Sequence, residues 1–363
     1  LLERRAHFAM FGGVRFGGTL GIESAFDTGF DHIALCAGAG KPTILDMKNG
    51  LARGVRAASD FLMALQLTGA ARDTSITNLQ VRLPVVVIGG GLTAIDTATE
   101  SMAYYPVQVE KFLARYEILA AEKGDAVVRR AWGKEEAIIA DEFIDHARLI
   151  RKERETAKKE QRVPRVRELV DLWGGAIMVY RRWMVDSPSY TLNHEEVEKA
   201  LEEGIHIAEG LSPVDVEVDE FGHAESIKLA RMEASDDGRL EDTGEIEHIK
   251  ARTVIIAAGT QPNTVLARED PDHVHVHGKY FEALDEAGNV VDPERSAKPS
   301  DVSVLTAFEP DGRAISFFGD LHPSFAGNVV KAMGSAKQGY PVISRVLARK
   351  KPTDISPDAL IET

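Results

Sequence analysis

Three short aliphatic runs, each broken by glycine, set the pattern of this chain. Ile33-Ala34-Leu35-Cys36-Ala37 closes on Gly38-Ala39-Gly40-Lys41-Pro42, and Thr253-Val254-Ile255-Ile256-Ala257 closes on Ala258-Gly259-Thr260-Gln261-Pro262. Between them, Val85-Val86-Val87-Ile88 ends in Gly89-Gly90-Gly91, and a helix-compatible stretch from Leu92 to Met102 follows at once. Apolar runs of this length bounded by turn residues predict buried strands. The two outer copies bracket the middle one. That repetition predicts an α/β fold of two Rossmann-like nucleotide-binding domains, the second inserted into the first.

The rest of the chain is patterned differently. Residues 104–172 are rich in Glu, Lys, Arg, Ala and Ile without strand-like alternation, as in Glu135–Arg151 and Glu153–Gln161, and read as charged helices. A normal βαβ unit spans about 30 residues, so a helical insertion of about 60 residues is expected between the fingerprint helix and the next strand. Ile138-Ile139, Phe143-Ile144 and Leu149-Ile150 recur at near-helical spacing, a stripe that must pack on the parent domain or on another chain. The insertion reads either as a solvated decoration or as a surface for a homo- or hetero-oligomer. Trp173-Gly174-Gly175 ends it, and Ala176–Tyr180 resumes the strand pattern. An amphipathic helix over Asn193–Glu203, closed by Gly204, and a strand over Ile205–Ala208 follow. Residues 214–250 alternate apolar runs with turn signals and predict a β-meander.

Candidate chemistry gathers at the glycines. Gly89-Gly90-Gly91-Leu92-Thr93-Ala94 has the form Gly-x-Gly-x-x-Ala between a strand and a helix, the context of the dinucleotide fingerprint. Gly89 permits the tight turn, Gly91 lets a pyrophosphate approach the backbone, and Ala94 lets the helix pack closely on the sheet. The helix N-terminus then offers free N–H groups and a partial positive charge to phosphates. The plain alternative is a βα turn that binds nothing. Tyr180-Arg181-Arg182 ends the second strand of this unit, where an acid would bind the 2′-hydroxyl of NAD and arginine suits the 2′-phosphate of NADP. Ile315-Ser316-Phe317-Phe318 runs into Gly319-Asp320, with a helix-like stretch from Asn328 to Gln338. A strand ending in this way can place a carboxylate on a ribitol hydroxyl, with a helix N-terminus facing a flavin ring. His273, His275 and His277 would share one face of a strand, but no further ligand sits at metal spacing, and they read as an exposed loop.

Composition narrows the function classes. The chain has 363 residues, enough for two domains, and a formal net charge of −14 that argues against nucleic acid and anionic membranes as partners. No apolar segment approaches the ~20 residues needed to span a bilayer, and the cytoplasm is the expected compartment. The single cysteine, Cys36, excludes a disulfide framework, a redox Cys pair and a self-contained iron–sulfur site, and is expected to be a buried strand thiol.

Taken in order, these motifs resemble the small (β) subunit of NADPH-dependent glutamate synthase, the related flavin domains of dihydropyrimidine dehydrogenase, and the ferredoxin–NADP oxidoreductases. All belong to the two-dinucleotide-binding flavoprotein superfamily. The matching blocks are Ile33–Pro42, Gly54–Leu62, Val85–Ala98, Val179–Pro188 with Glu195–Gly204, Ala251–Asn263 and Phe318–Ala332. The resemblance implies hydride transfer from NADPH in one domain to FAD in the other, and on to an electron-accepting subunit or domain of the iron–sulfur type. By position, Gly89, Gly90, Gly91, Leu92, Thr93 and Ala94 would cradle the NADPH phosphates. Arg181 and Arg182 would hold the 2′-phosphate, and Gly259 the nicotinamide end. Ala37 and Gly38 would lie by FAD, Gly319 and Asp320 at its ribitol and pyrophosphate, and Asn328 and Val329 near the isoalloxazine. No catalytic residue is assigned.

Departures from the family pattern shape the remaining expectations. No Gly-x-Gly-x-x-Gly precedes residue 85, so the chain looks like a fragment that lacks the N-terminal part of its FAD domain and holds FAD weakly or not at all. Leu92 stands where relatives often carry Asp or Asn. The helical insertion, the stretch 264–310 and the absence of a cysteine-rich iron–sulfur domain are also unlike the family. Expected boundaries are 1–78 and 264–363 for the FAD-binding segments and 79–263 for the NADPH domain. The alternative function is a non-catalytic nucleotide-binding or assembly module with a degraded FAD site.

Overall fold

In a computed structural model, Arg4, Arg5 and residues 8–351 are described, apart from Asp236 and Ala297. Two compact units emerge, the second inserted in the first: 1–41 with 260–363, and 42–259. The α/β class and the insertion of one unit in the other are as the strand repeats predict. The first segment holds α1 (Ile22–Asp27) and β1 (His32–Leu35), and β2 (Lys41–Pro42) lies where the chain crosses to the second unit.

The second unit continues with β3 (Val55–Ala57), α2 (Ala58–Leu67), β4 (Val85–Ile88) and α3 (Leu92–Lys123). After them come α4 (Asp125–Arg130), α5 (Lys134–Lys159), α6 (Val166–Leu172), β5 (Ala176–Tyr180), α7 (Pro188–Glu202) and β6 (His206–Glu209). A meander of β7 (Leu211–Val218), β8 (Ala224–Ala234) and β9 (Leu240–Lys250) leads into β10 (Thr253–Ile256). The central sheet has the order β3-β10-β4-β5-β6, and all its pairings are parallel. From β4 the chain steps outward to β5 and β6, then returns to β10 on the other side of β4. Strand order therefore reverses between β4 and β10, where open α/β sheets bind their ligands beyond the carboxyl ends.

Strand β4 shows why these residues form this sheet. All four of its side chains are buried, as a strand covered on both faces requires. Val85 and Val87 pack with the helices, among them Phe61, Tyr105 and Leu113. Val86 and Ile88 point the other way, into a core built with Val216, Ile227 and Leu229 of the meander. Helices, parallel sheet and meander thus form three layers with two apolar cores.

The boundaries expected at 78/79 and 263/264 fall instead at 41/42 and 259/260. The reason is pairing: Val55–Ala57 align in register with Val254–Ile256, so β3 belongs to the same sheet as β4. Phe61 and Leu65 of α2 are buried in the helical core of that sheet.

The expected insertion is also different in kind. The fingerprint helix does not end near residue 104 but runs unbroken through Pro106 to Lys123. Ile139, Phe143, Ile144 and Ile150 of α5 are buried in the same core as Val85 and Val87. The apolar stripe is therefore covered by the parent domain, and only Ile138 and Leu149 of its members are exposed. Glu142 of α5 completes the docking, accepting from Arg252 Nη1 at 2.5 Å and Nη2 at 2.8 Å and from Arg82 Nη2 at 3.3 Å. Both arginines flank strands of the central sheet, Arg82 before β4 and Arg252 before β10. Residues 134–159 are thus part of the domain's core.

The first unit resumes with β11 (Thr260–Gln261), α8 (Leu266–Glu269), β12 (Val276–His277), β13 (Tyr280–Phe281), β14 (Ala283–Leu284) and β15 (Val290–Val291). β16 (Leu305–Phe308), β17 (Ala314–Phe317) and α9 (Val329–Leu347) complete it. Its sheet has the order β1-β17-β16-β14-β15, parallel between β1 and β17 and antiparallel beyond. Helix α9 packs by Gly339, where a Cβ would come within 2.5 Å of the Phe318 ring. Among the described residues no helix is long and apolar enough to cross a membrane.

Replacing Phe143 by Ala is expected to destabilise the fold by about 3–5 kcal/mol, the loss typical of a fully buried ring. Urea denaturation measures it. A loss below about 1 kcal/mol, usual for surface positions, would show that α5 is not part of the core.

Candidate functional site

The carboxyl ends of β4, β5 and β10 meet around the three glycines, and each glycine has its own steric reason. A Cβ on Gly89 would stand 2.3 Å from the Ala257 carbonyl oxygen, because the ends of β4 and β10 lie this close. The Gly89 N–H donates to Val179 O at 2.9 Å, tying the turn to β5 as well. A Cβ on Gly90 would reach within 2.5 Å of the Tyr180 ring. Gly91, the N-cap of α3, has nothing within 4 Å of its Cβ position. Its surroundings are open, as a backbone that receives a pyrophosphate requires.

Around this turn lies a cavity of about 450 Å3 within the second unit. Gly89, Gly90, Gly91, Thr93, Arg181 and Gly259 line it, so most of the predicted cradle comes together. Leu92, Ala94 and Arg182 do not line it. Ala94 is fully buried and seats α3 on the sheet, while Leu92 packs against the helical core. Arg181 is exposed at the end of β5, and neither its guanidinium nor that of Arg182 has a partner among the described residues. An unpaired guanidinium on a cavity that also receives a helix N-terminus suits an anionic ligand with a second phosphate.

Sequence reasoning missed the opposite wall, formed by Thr43, Leu45 and Asp46 with Leu211, Ser212 and Pro213. These segments carry no motif, although Leu211–Pro213 open β7. Only the fold brings them to the ends of β4 and β10.

A second cavity, of about 630 Å3, lies within the first unit. Gly38, Gly319 and Asp320 line it, together with His32, Ala34, Cys36 and the Met333 and Tyr340 side of α9. Ala37, Asn328 and Val329 stay outside its lining. Asn328 instead caps α9, its Oδ1 accepting the Lys331 N–H at 2.9 Å. Cys36 is exposed and follows the end of β1 at Leu35, which corrects the expected buried strand thiol. Of the three alternating histidines, read as an exposed loop, only His277 lies in a strand, the two-residue β12. His273 instead pairs with Asp270 at 2.5 Å, and that carboxylate pulls its pKa up.

Two histidines that no motif announced lie beside β17 and the turn that follows it. His322 lies between the Phe317 and Phe325 rings, with Nε2 2.8 Å from Ser303 O and Nδ1 accepting the Ser324 N–H at 3.2 Å. Burial pulls its pKa down to about 4, so the ring is neutral with its proton on Nε2. His32, also lowered to about 4 by burial, bonds Ser316 Oγ at 2.8 Å.

The turn itself is partly spoken for. The Gly319 N–H donates to Ser335 Oγ at 2.9 Å, and Asp320 Oδ1 accepts the Gly327 N–H at 2.9 Å. FAD would find Asp320 Oδ2 open to a ribitol hydroxyl. Among the described residues of this unit, however, no strand runs through a glycine-rich turn directly into a helix, the feature that holds a pyrophosphate. The fit is good for a dinucleotide in the second unit and partial for a flavin in the first.

No family model matches the sequence. Over 97% of its length the chain is 35% identical to the uncharacterized protein RP006 of Rickettsia prowazekii (strain Madrid E), and it spans 43% of that protein. Among solved structures it is similar to FprA of Mycobacterium tuberculosis in complex with NADPH, with a TM-score of 0.46 and 14% identity, over 96% of this chain and 71% of that one. It is also similar to T. acidophilum thioredoxin reductase, with a TM-score of 0.43 and 12% identity, over 86% and 64% of the two chains. The strand order and the cavities described above carry the α/β dinucleotide-fold assignment by themselves.

Gly91→Ala places a methyl group in open cavity space and touches no packed atom. It is expected to leave the melting temperature nearly unchanged while weakening NADPH. Gly90→Ala drives a methyl into Tyr180 and should lower both. Calorimetric titration with melting curves checks the pair, and unchanged NADPH affinity in Gly91→Ala would remove the cavity from consideration as the phosphate site.

Proposed function

We propose that this chain is the NADPH- and FAD-binding part of a cytoplasmic oxidoreductase resembling the glutamate synthase small subunit. NADPH would bind in the second unit, and electrons would pass through flavin to a partner subunit or domain, of iron–sulfur type by that resemblance. One observation carries the reading: the phosphate turn, an unpartnered Arg181 and Gly259 line one cavity at the switch point of a parallel sheet. Bound NADPH would supply hydride and flavin would accept it. This chain's residues supply position and charge.

In that role the N–H groups at the start of α3 hold the pyrophosphate, and Arg181 receives the 2′-phosphate. Arg182, half-buried beside the cavity, adds positive potential without lining it. In the first unit Asp320 would take a ribitol hydroxyl. With the Gly319 N–H engaged by Ser335 and no phosphate turn among its described residues, that unit holds FAD weakly by itself. The same observation favours the second reading, a nucleotide-binding or assembly module without flavin chemistry.

Replacing Arg181 and Arg182 by Ala should weaken NADPH far more than NADH, by about tenfold or more, since a charge-assisted phosphate bond contributes roughly 1.5–3 kcal/mol. Most of that loss should already appear in Arg181→Ala. Equal affinity of the unmodified chain for NADH and NADPH, by calorimetry, would end the NADP assignment.

The purified chain is further expected to lack stoichiometric flavin after gel filtration and to gain a flavin spectrum only in excess FAD. A stoichiometric flavin absorbance in the purified protein would overturn the weak-FAD expectation. Failure to take up FAD even in excess would favour the module without flavin chemistry.

A further inference from the structure

We propose that Ser189 is a positioning residue for the phosphate turn: its hydroxyl holds the Gly90–Gly91 peptide so that the Gly91 N–H is presented to a phosphate oxygen. Ser189 takes this role only if the second unit's cavity is the dinucleotide site proposed above. The residue is completely buried in the first turn of α7, far along the chain from the fingerprint. Its Oγ donates to Gly90 O at 2.7 Å, and its backbone N–H lies 3.5 Å from the same oxygen.

The proton on that hydroxyl has a defined place. Ser187 Oγ, equally buried, accepts the Tyr190 N–H at 3.1 Å and lies 3.1 Å from Ser189 Oγ. With Ser189 donating to Gly90, Ser187 donates to Ser189, and both hydroxyls are satisfied. A buried hydroxyl without a partner would be unfavourable, so this arrangement is self-consistent.

Gly90 is gripped from two sides. Ser189 holds its carbonyl oxygen, while the Tyr180 ring stands 2.5 Å from where a Cβ would lie. Because the peptide is trans, the Gly91 N–H points opposite to the Gly90 carbonyl. That N–H has no partner within the chain among the described residues, and the space beside Gly91 is open. Without the Ser189 hydroxyl the carbonyl keeps only the long 3.5 Å bond from the Ser189 N–H, and the peptide is held less firmly against turning. A carbonyl rotated toward the cavity would repel a phosphate where an N–H attracts it.

The test compares two ligands on folded protein. NADPH carries a pyrophosphate for the turn, whereas 2′-AMP carries only the phosphate that Arg181 would read. Ser189→Ala is expected to weaken NADPH about tenfold, in line with loss of one charge-assisted hydrogen bond, and to leave 2′-AMP affinity as in wild type. Ser189→Thr, which keeps the hydroxyl, should restore NADPH binding. If the alanine variant melts without a folded baseline, Ser189→Cys, a weak donor of similar size, carries the same expectation. Unchanged NADPH affinity, or equal loss for both ligands, overturns the proposal while leaving the dinucleotide reading standing. Absence of NADPH binding by wild type overturns both.

Discussion

The close approach of Gly89 to the Ala257 carbonyl is the contact on which the rest of the second unit depends. Strands β4 and β10 are neighbours in register, and their carboxyl ends come so near that any side chain at residue 89 would meet backbone. Only glycine fits there, and the chain leaving β4 continues through Gly90 and Gly91 into α3. The strands cannot separate to relieve the contact, because Val86 and Val254 are fully buried beneath the meander. The Gly89–Gly91 turn is thereby set by sheet packing.

Much of this was legible from residue order. Buried parallel strands are uniform in their apolarity, so the runs at 85–88, 176–180 and 253–257 announce themselves, as does the meander by its turns. The glycines were legible as a group, but their separate reasons were not. Nothing in the sequence says that Gly89 meets β10 and Gly90 meets an aromatic ring from β5. Arg181 and Arg182 read as an equivalent pair, yet successive residues at a strand end point in different directions, and only one reaches the cavity.

Core membership was the least legible property. Residues 134–159 are mostly charged, and a charged amphipathic helix looks the same whether its stripe meets its own domain or another chain. Three-dimensional context decides it: Phe143 meets Tyr105 and Phe112 edge-on, and Glu142 binds arginines more than 50 residues away in either direction. The β3 strand was missed for a related reason. Val55-Arg56-Ala57 is too short to carry a period, and its identity as a strand comes from its partner β10. His322 and Ser189 belong to the same class, single polar residues whose importance lies wholly in what surrounds them.

The unbroken course of α3 gives the second unit a mechanical property. A helix of 32 residues is about 48 Å long, and its first turn lines the second unit's cavity while its last lies beside α4. Helix α5 lies against it and stiffens it, with Arg151 and Arg154 bridging to Glu117 and Glu110 on its outer turns. Its middle turns, from Ala98 through Tyr105 to Leu113, are buried in the same core as the central strands. The turn at Gly91 and the helical end of the unit near Lys123 are therefore two ends of one continuous element.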